Sequence, residues 1–317
     1  PAAAAIPAAG LYFNSGAAPL IADLLTPACA CARQAGLKIF AWMTTLGADY
    51  GSHTQARVRS YDPTSGRLLR ESHLMDPAAP ETRVFLKTLF RDLASYPLDG
   101  ILLQDDLMLR HHQGFRQSAG RIEPDPRRLY QFAGKQQRRI SGYQPAFSRW
   151  RQDQAVLLGG VAEDIFAATR GVRPQLKLAV NLHYEFLLQP EWSLNWFACS
   201  AASRRASSAD YLMIMSYQER MARELELDEA GLNATLVSAF AEARRQPFAE
   251  KIVFKFEQPA GPDPDDRLRR SLDLARDQGW RKLVVYPCND FRTSNRPLFP
   301  DQPSSVKTEN LLDNRGG

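Results

Sequence analysis

The chain of 317 residues is 44% hydrophobic and 24% charged, the balance of a globular protein with room for one large core. No apolar run is long enough to span a membrane, and four cysteines without a Cys-x-x-Cys pair make neither a disulfide framework nor a zinc ribbon. The formal net charge of +5 permits an anionic partner, but the basic residues are scattered rather than set among aromatics, so no nucleic acid is expected.

The Ala/Pro-rich start lacks the basic region of a signal peptide and reads as a linker, or as the cut end of something longer. Residues 10–13 are a weak strand candidate. Leu20, Ile21, Leu24 and Leu25 predict a helix over 17–36, ended by Gly36; on it Cys29 and Cys31 face different directions. A buried strand follows over 38–43 and carries Trp42. Residues 44–80 form a long connection containing Asp49, His53 and His73, the kind of loop on which barrels place binding surface. A helix over 81–95 leads into an apolar run at 98–103 that stops on Gln104, Asp105 and Asp106.

Residues 110–143 are rich in Arg, Gln, Gly and Pro and read as a second excursion over the same end. A long helix is expected over 144–171, then strand 176–181, a helix near 191–202 and strand 211–215. A helix over 230–245, strand 251–256, a helix over 264–278 and strand 282–286 complete the series. Trp150 and Trp280 are assigned to the core. Strict alternation of strand and helix predicts a parallel α/β fold, and six strands are clear. No G-x-G-x-x-G or phosphate-loop motif supports a doubly wound sheet. The expectation is a TIM-like (β/α) barrel over 1–296, its first strands missing or upstream, with a polar tail over 297–317.

In such a barrel the strand ends carry the chemistry. Alternation places Leu102, Gln104 and Asp106 on one parity, the more polar one, and so toward the lumen. The residues just beyond the six strands include Asp49, Asp105, Asp106, Glu185, Glu219, Glu257 and Asp290 against Arg220 and Arg292. The mouth is therefore expected to be more acidic than the chain. Trp42, Tyr184, Tyr217, Tyr286 and nearby Trp196 add aromatic surface. Carboxylates among aromatics suit sugars, whose ring faces stack while their hydroxyls and amines meet acids. A helix-capping role for the Asp pair is the plain alternative. His111 and His112 are adjacent and cannot share a helix face as a metal pair does; no metal and no cofactor are expected. No Gly-x-Ser-x-Gly elbow is present.

The segments Leu-Lys-Ile-Phe-Ala-Trp-Met, Asp-Gly-Ile-Leu-Leu-Gln-Asp-Asp, 179–184, Trp196-Phe197, 213–219 and 286–291 resemble the C-terminal domain of PgaB-type proteins. These are poly-β-1,6-N-acetyl-D-glucosamine N-deacetylases of biofilm export. The resemblance implies a barrel related to chitinase- and hexosaminidase-type glycoside hydrolases, preceded in the full-length protein by a deacetylase domain. It implies binding, and in some members endo-cleavage, of partially deacetylated polymer, in the periplasm or at the outer membrane, beside an export porin. Asp106 and Asp105 would be catalytic. Trp42, Asp49, Asn181, Tyr184, Glu185, Trp196, Tyr217, Glu219, Tyr286 and Asp290 would hold the sugar. The family's first strand, with its acidic ending, is not recognisable, and Gln104 stands where relatives often carry His. A non-catalytic domain guiding polymer to the porin is the alternative from another class.

Adjacent Asp side chains cannot easily straddle a sugar ring, which retaining and inverting pairs must do. Glu185, Glu219 and Asp290 are the candidates for an opposing carboxylate, and substrate assistance would remove that demand: the 2-acetamido oxygen would attack the anomeric carbon, Asp106 would protonate the leaving oxygen, and Asp105 would orient the acetamido group.

Overall fold

The computed structural model describes residues 10–47, 56–134, 139–201, 207–258 and 266–286. Among them, six parallel strands form one sheet: β1 (Phe40–Met43), β2 (Gly100–Leu103), β3 (Lys177–His183), β4 (Tyr211–Met215), β5 (Ile252–Glu257) and β6 (Leu283–Tyr286). They are hydrogen-bonded in chain order. The longer helices are α1 (Leu25–Gln34), which precedes β1, and, after it, α2 (Pro80–Ala94), α3 (Pro145–Val172), α4 (Pro190–Phe197), α5 (Gln218–Glu224), α6 (Glu229–Arg245) and α7 (Asp266–Asp277). The fold is the expected TIM-like α/β barrel, open as described, with six strands. The tail at 297–317 and the start lie outside the described residues.

Side-chain alternation sorts the sheet into two faces. Ile101, Leu103, Leu178, Val180, Leu212, Ile214, Phe254 and Phe256 join the large core under the helices. Leu102, Ala179, Met213 and Val253 form a separate small cluster with Tyr211 and Val284, which is the lumen. The parity of Leu102 is thus the lumen parity. The sheet curls until its two edge strands meet at the mouth, where the Trp42 and Tyr286 rings stand edge to face at 4.6 Å.

Phe40 lies over Gly100 so closely that a Cβ there would fall 2.1 Å from the ring's Cε1. Gly100→Ala should therefore destabilise by about 1–3 kcal/mol, the usual cost of overpacking. The check is a lower urea midpoint at unchanged slope. An unshifted midpoint would mean that Phe40 simply swings aside.

Several elements depart from expectation. The predicted 17–36 helix is confined to α1; residues before it are irregular, with an isolated bridge between Leu11 and Leu20. Asp23 ends that stretch by accepting from the Thr26 N–H and hydroxyl, the local bonding that starts a helix late. The two excursions contain antiparallel hairpins, Arg57–Asp62 with Arg67–Met75, Arg116–Ser118 with Arg121–Glu123, and Tyr130–Ala133 with Arg139–Tyr143. They share a satellite core of Phe115, Leu129, Tyr130 and Phe147, and Trp150 packs there, while Trp280 meets Phe240 and Phe254. No helix among the described residues is long and apolar enough to cross a membrane.

Candidate active site

Strand β2 ends at Leu103, and Asp105 and Asp106 lie on the turn beyond it, where strand alternation no longer governs direction. Asp106 turns back toward β1. Its Oδ2 accepts from the N–H groups of Thr45 (2.7 Å) and Gly47 (2.7 Å), and its Oδ1 meets the Thr45 hydroxyl at 2.6 Å. A Cβ at Gly47 would stand 3.0 Å from Oδ2, so glycine permits this approach. The loop is itself pinned, because the Met75 N–H donates to the Leu46 carbonyl at 2.8 Å. Burial pushes the Asp106 carboxyl up, against the pull of the Thr45 and Gly47 donors. If it holds a proton, the short contact to Thr45 is where that proton resides. In either state its bonds are made within the protein.

Asp105 is the contrasting case. Among the described residues none donates a hydrogen bond to it. Its charge acts on His183, Tyr217, Lys255 and Arg220. His183 is held neutral, its imidazole pushed down to about 4 by burial despite Asp105, and it stacks on Phe197 at 4.2 Å. Burial, then Asp105, raises the Tyr217 phenol, which stays a neutral donor.

Trp42, Tyr217 and Tyr286 converge at the mouth; Tyr217 stacks on Tyr286 at 6.0 Å. Asn181 is buried on the lumen parity, in register with Met213, and neither amide atom has a partner among the described residues. Trp196 stands in a separate ladder, stacked on His111 (4.3 Å) and on Trp192 (5.2 Å). The hairpins hold that ladder: the Tyr130 hydroxyl donates to the His111 carbonyl, and the Tyr143 hydroxyl meets its Nδ1.

Three other expected sugar contacts go elsewhere. Tyr184 is buried in the main core, and its hydroxyl donates to Glu224 at 3.2 Å. Glu219 is paired with Arg267 at 2.7 Å, and Arg267 also binds Glu229. Glu185 is buried beside Glu224 and Arg220. Asp49 and Asp290 lie outside the described residues. The expected acidity is also cut by Lys255, a buried cation on the lumen parity of β5. Sequence reasoning passed over it, although it is the one charge inside an otherwise apolar strand run. Nor did it flag Thr45, Gly47 or His183.

Burial raises Glu185 to about 7 from an ordinary 4.5. Across that window the folded protein holds a proton that the unfolded chain releases, so stability falls as pH rises through it. Glu185→Gln removes this loss. The variant should gain about 1–3 kcal/mol over wild type at about pH 8 relative to about pH 5, measured by urea unfolding. An equal difference at both pH values would show that Glu185 ionises freely.

The model of the hypothetical glycosyl hydrolase family 13 matches residues 5–261. Among solved structures, the glycoside hydrolase domain of PgaB (BpsB) from Bordetella bronchiseptica aligns with TM-score 0.65 at 19% identity, covering 88% of this chain and 78% of that one. A β-galactosidase from Rahnella sp. R3 aligns with TM-score 0.51 at 13% identity, covering 83% of this chain and 42% of that one. At these identities the likeness is one of fold. No curated relative matches the chain.

Proposed function

This chain belongs to the hypothetical glycosyl hydrolase family 13, and we propose that it is an endo-acting hydrolase of partially deacetylated poly-β-1,6-N-acetyl-D-glucosamine. One observation carries the reading: Asp106 is bound on both oxygens by the β1 loop, while Asp105 accepts no hydrogen bond from a described residue and its charge acts on Lys255 and Tyr217, which lie among Trp42 and Tyr286. That arrangement supports the reverse of the roles expected from sequence. Asp105 is the acid that protonates the leaving oxygen. Asp106 is a positioning residue that ties the Asp turn to β1.

The acetamido oxygen of the bound unit supplies the nucleophile, attacking the anomeric carbon as the bond to the leaving oxygen breaks. Asn181 and the Tyr217 hydroxyl orient the acetamido group and stabilise the developing charge. Water then opens the resulting oxazolinium ring, returning a proton to Asp105. The mechanism demands an acetylated unit immediately before the cut. The substrate class rests on the sequence resemblance to PgaB-type proteins; the solved PgaB glycoside hydrolase domain supports the fold. An upstream deacetylase domain, an export porin and a periplasmic or outer-membrane setting belong to the same proposal.

The test is incubation with partially deacetylated polymer, followed by mass spectrometry of the products. Shorter oligomers with N-acetylglucosamine at the new reducing ends are expected. Glucosamine ends would overturn substrate assistance. Binding without shortening would instead make the domain a polymer guide.

A further inference from the structure

The lumen encloses a cavity of about 470 Å³, lined by apolar and aromatic groups that include Phe40, Trp42, Met213, Val253 and Tyr286. Its two charged lining residues, Lys255 and Lys282, are both cations; among the described residues no carboxylate lines it. Lys282 points to the other end, where its ammonium donates to the Glu250 carbonyl and sits 5.6 Å from the Tyr211 ring. Lys255 lies beneath the mouth, 2% exposed. Its Nζ is 4.0 Å from the centroid of Trp42, 4.5 Å from that of Tyr286 and 5.9 Å from that of Tyr217. That nitrogen has no hydrogen-bond partner among the described residues.

Three aromatic rings around an ammonium are the usual receptor for a cation. Here the protein has filled that receptor with its own lysine. A protonated glucosamine stacking on the outer side of Trp42 or Tyr286 would meet a like charge across a single ring. None of the described residues that line the cavity is a carboxylate, and Asp105, which acts on Lys255 from outside that lining, offsets only part of the charge. An N-acetylated unit carries no charge and stacks without this cost.

We propose that Lys255 is a specificity-determining residue, a fixed charge under the aromatic floor that admits an uncharged N-acetylated unit and rejects a protonated amino sugar at that position. This rests on the functional reading above and deepens it. Burial pushes the Lys255 ammonium down to about 8, which leaves it charged at neutral pH. The carboxylate facing it is Asp105, which favours its charged form. Outer carboxylates can still attract glucosamine units elsewhere along the polymer, so the filter acts on one unit only.

The test compares Lys255→Met, which keeps the length and apolar stem, with Lys255→Arg, which keeps the charge. Calorimetry measures the binding of fully deacetylated and fully acetylated β-1,6 tetrasaccharides near pH 6, with circular dichroism as the check on folding. Lys255→Met should bind the deacetylated tetramer about tenfold more tightly, the effect of removing a like charge. Its affinity for the acetylated tetramer should stay within a few-fold, and Lys255→Arg should keep the wild-type order. Parallel changes for both tetramers, or none, would overturn the filter while leaving the hydrolase reading intact. Wild-type protein that binds neither tetramer would overturn the hydrolase reading, and the filter with it.

Discussion

Asp105→Asn should lower kcat by about 10²–10⁴-fold, the range for removing a general acid, with polymer affinity held within a few-fold. The substitution keeps the shape of a side chain that no described residue hydrogen-bonds, so folding should be unaffected. Asp106→Asn should behave differently. Its amide oxygen can serve the Thr45 and Gly47 N–H groups only with its NH₂ toward the buried Thr45 hydroxyl, whose hydrogen then loses its acceptor. Leaving such a buried donor unmatched costs about 1–3 kcal/mol. The loosened turn misplaces Asp105, for which a loss of about 10²-fold in kcat is in proportion. The two variants are separated by measuring unfolding midpoints beside kinetics. Undiminished turnover in Asp105→Asn, with a dead but fully stable Asp106→Asn, would return the acid role to Asp106.

The second large effect is on stability. Arg151 is completely buried on α3 and donates to the carbonyls of Leu109, Arg110 and Leu194 and to Gln154. No carboxylate pairs with it among the described residues, and burial pushes its guanidinium down to about 9. It clamps the segment after the Asp pair to α4, which carries Trp192 and Trp196. Arg151→Met would leave those carbonyls without their donor in a dry site, at a cost of about 3–5 kcal/mol. A thermal melt should show it, together with lost activity as the Asp turn loosens. A variant as stable as wild type would mean that water replaces the guanidinium at little cost.

Arg151 also shows where sequence reading stops. An Arg in the second turn of a long helix, two residues from Arg149, looks like solvated surface, because its partners are carbonyls from distant segments that carry no residue signature. Glu219 and Tyr184 fail for the same reason: each stands just past a strand, but Arg267 and Glu224 claim their polar atoms.

What the sequence determined by itself was the alternation of apolar strand runs and amphipathic helices, the lumen parity of Leu102, and the placing of Trp42, Tyr217 and Tyr286 at strand ends, where their rings meet. These are local consequences of the two-residue strand period and the 3.6-residue helix period, and no long-range contact is needed to read them. Only the tertiary structure decided which of two adjacent aspartates is tied to the β1 loop, since past Leu103 that loop, not the strand, directs Asp106. It also decided that Lys255 stands in an aromatic cage, because Trp42 on β1, Tyr286 on β6 and Tyr217 just beyond β4 meet only when the sheet curls.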